Sequence, residues 1–153
     1  MILRGERNER GQVIVLVLVV LAILAVGWWL LTSMRQRKEE DARRFALAVG
    51  EELLLKQDGR FVMQHLSPKA QVRYPPSWHE RFAGYVRDLG APQSPVTVEG
   101  NVEFQNYFLE PAATFRASVT YATGPAHLDM RFSLAGVRWQ IEYLNLIWTP
   151  PGR

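Results

Sequence analysis

From Val13 to Leu31 the chain reads VIVLVLVVLAILAVGWWLL, nineteen residues without a charge. Only Gly27 in that run is a poor helix former. As a helix it is about 28 Å long, close to the ~30 Å hydrocarbon core of a bilayer. The run is apolar all the way round, so such a helix has no face to offer to water. Trp28 and Trp29 stand at its end, where an interfacial aromatic belt belongs. Arg4, Arg7 and Arg10 precede it, and Arg35, Arg37 and Lys38 follow. Trp28, Trp29, Arg35, Arg37 and Lys38 are therefore the expected membrane-interface residues.

Two other fates are open to such a segment. A cleaved export signal has an apolar region of about 7 to 15 residues followed by a small-residue cleavage site. Here Trp-Trp-Leu-Leu follows Ala25 and Gly27, so cleavage would leave an oily new terminus. A helix buried in a soluble core would not explain the basic flanks. The expectation is a retained single-pass anchor, with the bilayer as its first partner. Counting basic residues close to each end gives no decision on orientation, because three oppose three. A short tail before an uncleaved span behaves as a signal anchor, which places the C-terminal domain on the extracytoplasmic (periplasmic) side.

The net charge of +3 comes entirely from residues 1–44, which hold eight Lys or Arg against five acids. From Phe45 to Arg153 there are ten of each. A charge-balanced domain lacks the clustered cations that phosphate backbones require, so nucleic acid is not an expected partner. Cysteine is absent, which removes disulfides, thiolate metal sites and thiol nucleophiles.

Beyond the span, Arg35 to Arg44 is dominated by charge and reads as a helical stalk. Phe45, Val49 and Leu53, with Ala42, Ala46 and Leu54 beside them, then form an apolar stripe at helical spacing. Asp58-Gly59 breaks that helix. A short second helix ends near Leu66, and Ser67-Pro68 reads as a cap and first-turn proline for one more turn. Ser77 and Glu80 have the spacing of a capping box at the start of a third helix. Trp78, Phe82, Tyr85, Val86 and Leu89 are its expected buried face.

The period then falls to two. Val96, Val98, Val102 and Phe104 share one side of a strand. Phe115, Ala117, Val119 and Tyr121 share another, as do Leu128, Met130, Phe132 and Leu134, and finally Val137, Trp139, Ile141 and Tyr143. Turns are expected at Glu110-Pro111, Gly124-Pro125 and Ala135-Gly136. After Tyr143 the alternation slips, for Leu144, Leu146 and Trp148 take the other phase. A β-bulge or a strand end buried on both faces accounts for that. Helices followed by alternating strands predict an α+β domain with an antiparallel sheet of about four strands, one face packed on helices. The expected organisation is a polar tail over 1–12, the span over 13–31, a charged juxtamembrane stalk over 32–44, the domain over 45–148 and a tail over 149–153.

This order of elements resembles the nuclear transport factor 2-like, or cystatin-like, superfamily, in which three helices pack into the hollow of a strongly curved, cone-shaped sheet. GVRWQIEYLNL is similar to its final strand, and KQDGRFVMQHLSPKAQ resembles the link between its first helices. The resemblance covers roughly residues 42–147. A single span leading into such a domain also resembles, in outline, the inner-membrane assembly component of type IV secretion and conjugation machines.

Enzymes of the superfamily, ketosteroid isomerases and dehydratases among them, place acids, tyrosines or histidines inside the cone. Asp129, Glu142, Glu99 and Glu103 lie out of phase with the apolar residues of their strands and are expected to point away from it. His127 reads as a solvated turn residue, and His65 as a structural helix-edge histidine, with an inward-facing functional group as the alternative. Tyr74, Tyr107, Tyr121 and Tyr143 are candidate pocket aromatics, but no inward carboxylate pairs with them. His65, His79 and His127 have no metal-ligand spacing, and there is no glycine-rich phosphate loop or nucleophile elbow. No catalytic residue, cofactor or metal is expected.

The chain therefore reads as a non-catalytic, membrane-anchored accessory or assembly subunit of a larger membrane complex serving secretion, respiration or photosynthesis. Leu146 and Trp148 are candidate partner contacts. The alternative is a module that holds a small apolar ligand in a cavity lined by Phe82, Tyr121, Met130 and Trp139. An enzyme of the isomerase or dehydratase type requires a carboxylate turned inward by a one-residue slip in register.

Overall fold

The computed structural model describes the backbone of residues 6–105 and 110–150, and side-chain surroundings from residue 11 onward. The side chains of Arg4, Arg7 and Arg10, the candidate Tyr107 and the end of the C-terminal tail lie outside the described residues. The chain divides into two units between Lys38 and Glu39. Helix α1 is assigned to Glu6–Gly50. In the first unit every large apolar side chain from Val13 to Leu31 is exposed, from 48% at Val20 to 76% at Trp28. This stretch is long and apolar enough to cross a membrane.

The second unit is α+β, as the change of period predicts. After α1 come a π-helical turn at Glu51–Leu55, α2 (Arg60–His65), α3 (Pro68–Arg73) and α4 (Trp78–Asp88). Four strands follow, β1 (Thr97–Phe104), β2 (Pro111–Tyr121), β3 (Gly124–Ala135) and β4 (Arg138–Trp148). They form one curved antiparallel sheet in the order β1-β2-β3-β4, each strand beside its sequence neighbour. Both long hairpins turn on two residues, Ala122-Thr123 and Gly136-Val137. The β2–β3 turn therefore precedes Gly124-Pro125, which belongs to β3. Val137 stands in the second turn, 93% exposed, rather than on the apolar side of β4.

The α1 stripe is the helical half of the core. Ala42, Ala46, Val49, Leu53 and Leu54 are buried, and Phe45 is half-buried with its ring edge-on to Phe132, centroids 5.0 Å apart. A β-carbon on Gly50 would stand 3.1 Å from both the Ala117 and Val96 side chains, so this position lets the helix lie close on the sheet. The sheet supplies Phe115, Ala117, Val119, Tyr121, Leu128, Met130 and Phe132, all buried. Hydrophobic burial contributes roughly 25 cal/mol per Å² of apolar area, so these packed side chains hold the unit together.

Helical periodicity does not reveal the π turn. There the Lys56 amide donates to the Glu51 carbonyl at 3.0 Å, a five-residue step. The Leu54 carbonyl accepts instead from the Tyr121 hydroxyl, at 2.7 Å. A buried backbone acceptor left without a partner is costly, and Tyr121 prevents that.

At α3 the Ser67 side chain accepts from the Ala70 amide at 3.1 Å, with Pro68 in the first turn, as the sequence predicts. At α4 the expected capping box does not form. Ser77 is itself helical in backbone and makes no side-chain cap; the Trp78 amide donates to the Pro75 carbonyl at 2.8 Å instead. Val86 and Leu89 are buried and Trp78 and Phe82 half-buried, whereas Tyr85 faces outward at 48% exposure.

The slip in β4 is a bulge. Phe132 pairs with Ile141 and Arg131 with Tyr143, leaving Glu142 as the inserted residue. Trp139, Ile141, Leu144, Leu146 and Trp148 then share the core side, and Tyr143 is turned out. The Arg73 guanidinium lies 5.7 Å from the centre of the Tyr143 ring.

The outer edge of β4 is covered. Leu66 bridges Ile141, and the Ser67 amide donates to the Ile141 carbonyl at 3.0 Å. The Tyr74 hydroxyl donates to the Leu144 carbonyl at 3.0 Å and accepts from the Leu144 amide at 2.8 Å. Backbone groups that would otherwise invite another strand are thus occupied. At the opposite edge, Gly100 in β1 comes so close to β2 that a β-carbon would stand 2.2 Å from the Thr114 carbonyl oxygen.

Candidate functional site

In the helical stretch, Trp28, Trp29, Arg35 and Arg37 are exposed and Lys38 is half-buried. The Thr32 hydroxyl donates back to the Trp28 carbonyl at 2.8 Å, satisfying one polar side chain within the helix. The two indoles and the three basic residues follow one another along the same helix, at the C-terminal end of its apolar run.

The four residues expected to line an interior cavity do not behave alike. Tyr121 and Met130 are each 1% exposed and belong to the packed core. Burial pushes the Tyr121 phenol up to about 12, and its hydroxyl is committed to Leu54. Phe82 stacks on Trp78, centroids 4.9 Å apart, and Trp78 in turn lies 5.0 Å from Tyr74. Trp139, 8% exposed, stands at the rim, where it helps to line a groove of about 290 Å³. Tyr121 and Met130 are thus packed into the core, and of the four only Trp139 borders the rim groove.

That groove is bounded by Phe45 from α1, Gln64 and His65 from α2, and Arg138, Trp139 and Gln140 from β4. His65 is fixed on two sides. Its Nδ1 donates to the Phe61 carbonyl at 2.7 Å, since a carbonyl oxygen can only accept. Its ring lies 4.3 Å from that of Phe61 and 5.4 Å from that of Phe45. The helix-edge histidine of the sequence thus faces a groove at the rim. Phe45 showed in the sequence only as part of the α1 stripe, and Gln64, Arg138 and Gln140 did not stand out as site residues, because what joins them is the packing of the β3–β4 hairpin on α1 and α2.

The carboxylates follow a different pattern. Asp129 points to the outer face of the sheet, as its phase predicts. There its two oxygens accept from Arg116, at 2.6 Å from Nε and 3.1 Å from a terminal nitrogen. That forked bond to Asp129 holds the guanidinium still more firmly in its charged form. Glu99 lies across from Arg116 in the next strand. His127 is a β3 residue and not a turn residue, and its Nδ1 is 2.9 Å from the Ser118 hydroxyl on β2.

Glu142, displaced by the bulge, accepts from the Ser67 hydroxyl at 2.9 Å and from the Ser133 hydroxyl at 2.6 Å. It ties α3 to the sheet. Among the described residues no three His, Asp or Glu side chains converge as a metal site would require.

Leu146 and Trp148 are half-buried and pack against the core from the end of β4. The Trp148 indole N–H is buried and has no acceptor among the described residues; the same holds for Nδ1 of His79. In comparisons with protein-family models, curated proteins and solved structures, no match reached significance.

Proposed function

We propose that this chain is a single-pass membrane protein whose α+β domain serves as an accessory or assembly subunit of a larger membrane complex. The observation that carries this reading is the exposure of every large apolar side chain from Val13 to Leu31, in a chain whose domain keeps Tyr121 and Met130 buried in its core. A surface that apolar needs lipid or other transmembrane helices around it. The span is retained rather than cleaved, and the domain lies on the extracytoplasmic side, as a signal anchor would place it. The domain itself is of the nuclear transport factor 2-like type. Support comes from the helices-then-meander order, the curved sheet and the packing of α1 on its inner face.

The domain acts through binding rather than catalysis. Tyr121 is engaged by a backbone carbonyl, Asp129 by Arg116, and Glu142 by two serines, which favours structural work for each. The balance of ten cations and ten anions from Phe45 onward argues for protein rather than nucleic acid as partner. Trp148, half-buried with an unpaired indole N–H, is the best-placed contact residue together with Leu146.

The test is purification of the tagged full-length protein from its native membranes in mild detergent, with co-purifying proteins identified and their stoichiometry measured. Membrane partners in fixed ratio, lost on Trp148→Ala while the domain stays folded, support the proposal. A protein that purifies alone overturns it.

A further inference from the structure

On the outer face Asp129 pairs with Arg116 and His127 with Ser118, and beside the β4 edge Glu142 accepts from Ser67 and Ser133. In the groove, the Arg138 guanidinium, the Gln64 and Gln140 amides and the His65 Nε2 make no hydrogen bond or ion pair among the described residues. These four residues line one small space together with Phe45 and Trp139. The lining contains no carboxylate, so its formal charge is positive through Arg138.

From this geometry we infer that the groove is a binding site for a small aromatic carboxylate that also carries a hydroxyl group. The volume, about 290 Å³, suits a single substituted ring rather than a lipid chain or a nucleotide. Phe45 and Trp139 supply apolar, polarisable walls for a planar ring. Arg138 is the only permanent cation among the described residues of the lining and pairs with the carboxylate as a fork. The two glutamine amides donate to the carboxylate oxygens that remain.

His65 sets the hydroxyl preference. With Nδ1 donating to Phe61, Nε2 is the ring nitrogen left to accept from a ligand O–H. Phe61 and Phe45 hold the ring before any ligand arrives, and Phe45 is itself held edge-on by Phe132. A site already in place loses little order on binding. The site needs no membrane partner, so it stands apart from the assembly proposal.

The test is a titration of full-length protein in detergent, labelled with ¹⁵N at tryptophan, reading the Trp139 indole resonance (assigned with Trp139→Phe). The probes are 4-hydroxybenzoate, benzoate and benzamide. The expected order of affinity is 4-hydroxybenzoate over benzoate by roughly tenfold, and benzoate over benzamide by at least about as much. Arg138 is exposed, so Arg138→Gln leaves the fold intact and weakens both acids roughly tenfold without affecting benzamide. His65→Phe erases the difference between the two acids. Equal responses to all three probes, no Trp139 response at saturating acid, or unchanged acid binding in Arg138→Gln overturn the proposal.

Discussion

The helical stretch Val13–Leu31 and the sheet use nearly the same apolar residues to opposite ends. In the first, valines and leucines are about half exposed or more; in the second, Val119, Leu128 and Phe132 are between 0% and 3% exposed. The difference is in pattern. Nineteen apolar residues in a row leave no polar side for water, so such a helix cannot bury itself against a small domain and stay soluble. Alternation in the strands gives each its own polar face, and the sheet closes its core without outside help. One pattern suits a bilayer, and the other builds a core of its own.

Substitutions separate the two regions. Phe132→Ala opens a cavity beside Phe45 and Phe115 and costs about 3–5 kcal/mol of domain stability, measured by denaturant unfolding of the detergent-solubilised chain. Membrane extraction of that variant is unchanged; a loss of membrane retention in it would break the separation. Leu21→Arg, near the middle of the apolar run, costs about 3 kcal/mol of insertion and shifts protein out of the alkali-resistant membrane fraction. Its domain unfolds at the wild-type denaturant concentration.

Tyr121→Phe leaves the Leu54 carbonyl without its donor and costs about 1–3 kcal/mol. The same residue gives the wild type a pH signature. Because burial raises the Tyr121 phenol to about 12 in the folded domain while the unfolded chain titrates near its usual 10, the unfolded state ionises first. That part of the stability is present below about pH 10 and is lost as pH rises toward 12. Equilibrium unfolding across that interval loses its Tyr121 component in Tyr121→Phe. At the small end, Val137→Ser in the β3–β4 turn changes stability by less than about 0.5 kcal/mol, because the side chain is already 93% exposed.

The apolar run, the stripe on α1 and the four alternating strands were legible because each repeats a period over many residues. What was not legible depended on single events. The bulge at Glu142 shows in the sequence as a change of phase, yet the pattern alone does not distinguish it from a doubly buried strand end. Consequently Tyr143 was expected on the core side, and the bulge turns it out. The Ser77–Glu80 spacing meets a local rule that the backbone there does not use, since a turn at Pro75 starts the helix. Tyr121 was legible as buried but not as a strut, for its partner Leu54 lies 67 residues away in a π turn without periodic signature. The rim groove was hidden for the same reason. Phe45, His65 and Trp139 are joined only by tertiary packing, and of its polar lining only His65 stood out in the sequence.

The central claim is that residues 13–31 remain in the membrane as part of the mature chain. Its most direct test is intact-mass spectrometry of the protein recovered from alkali-washed native membranes. The account predicts a single species that retains the segment through Leu31, found in the membrane pellet and absent from the wash. A shorter chain beginning after Ala25 or Gly27, released into the wash, would contradict it.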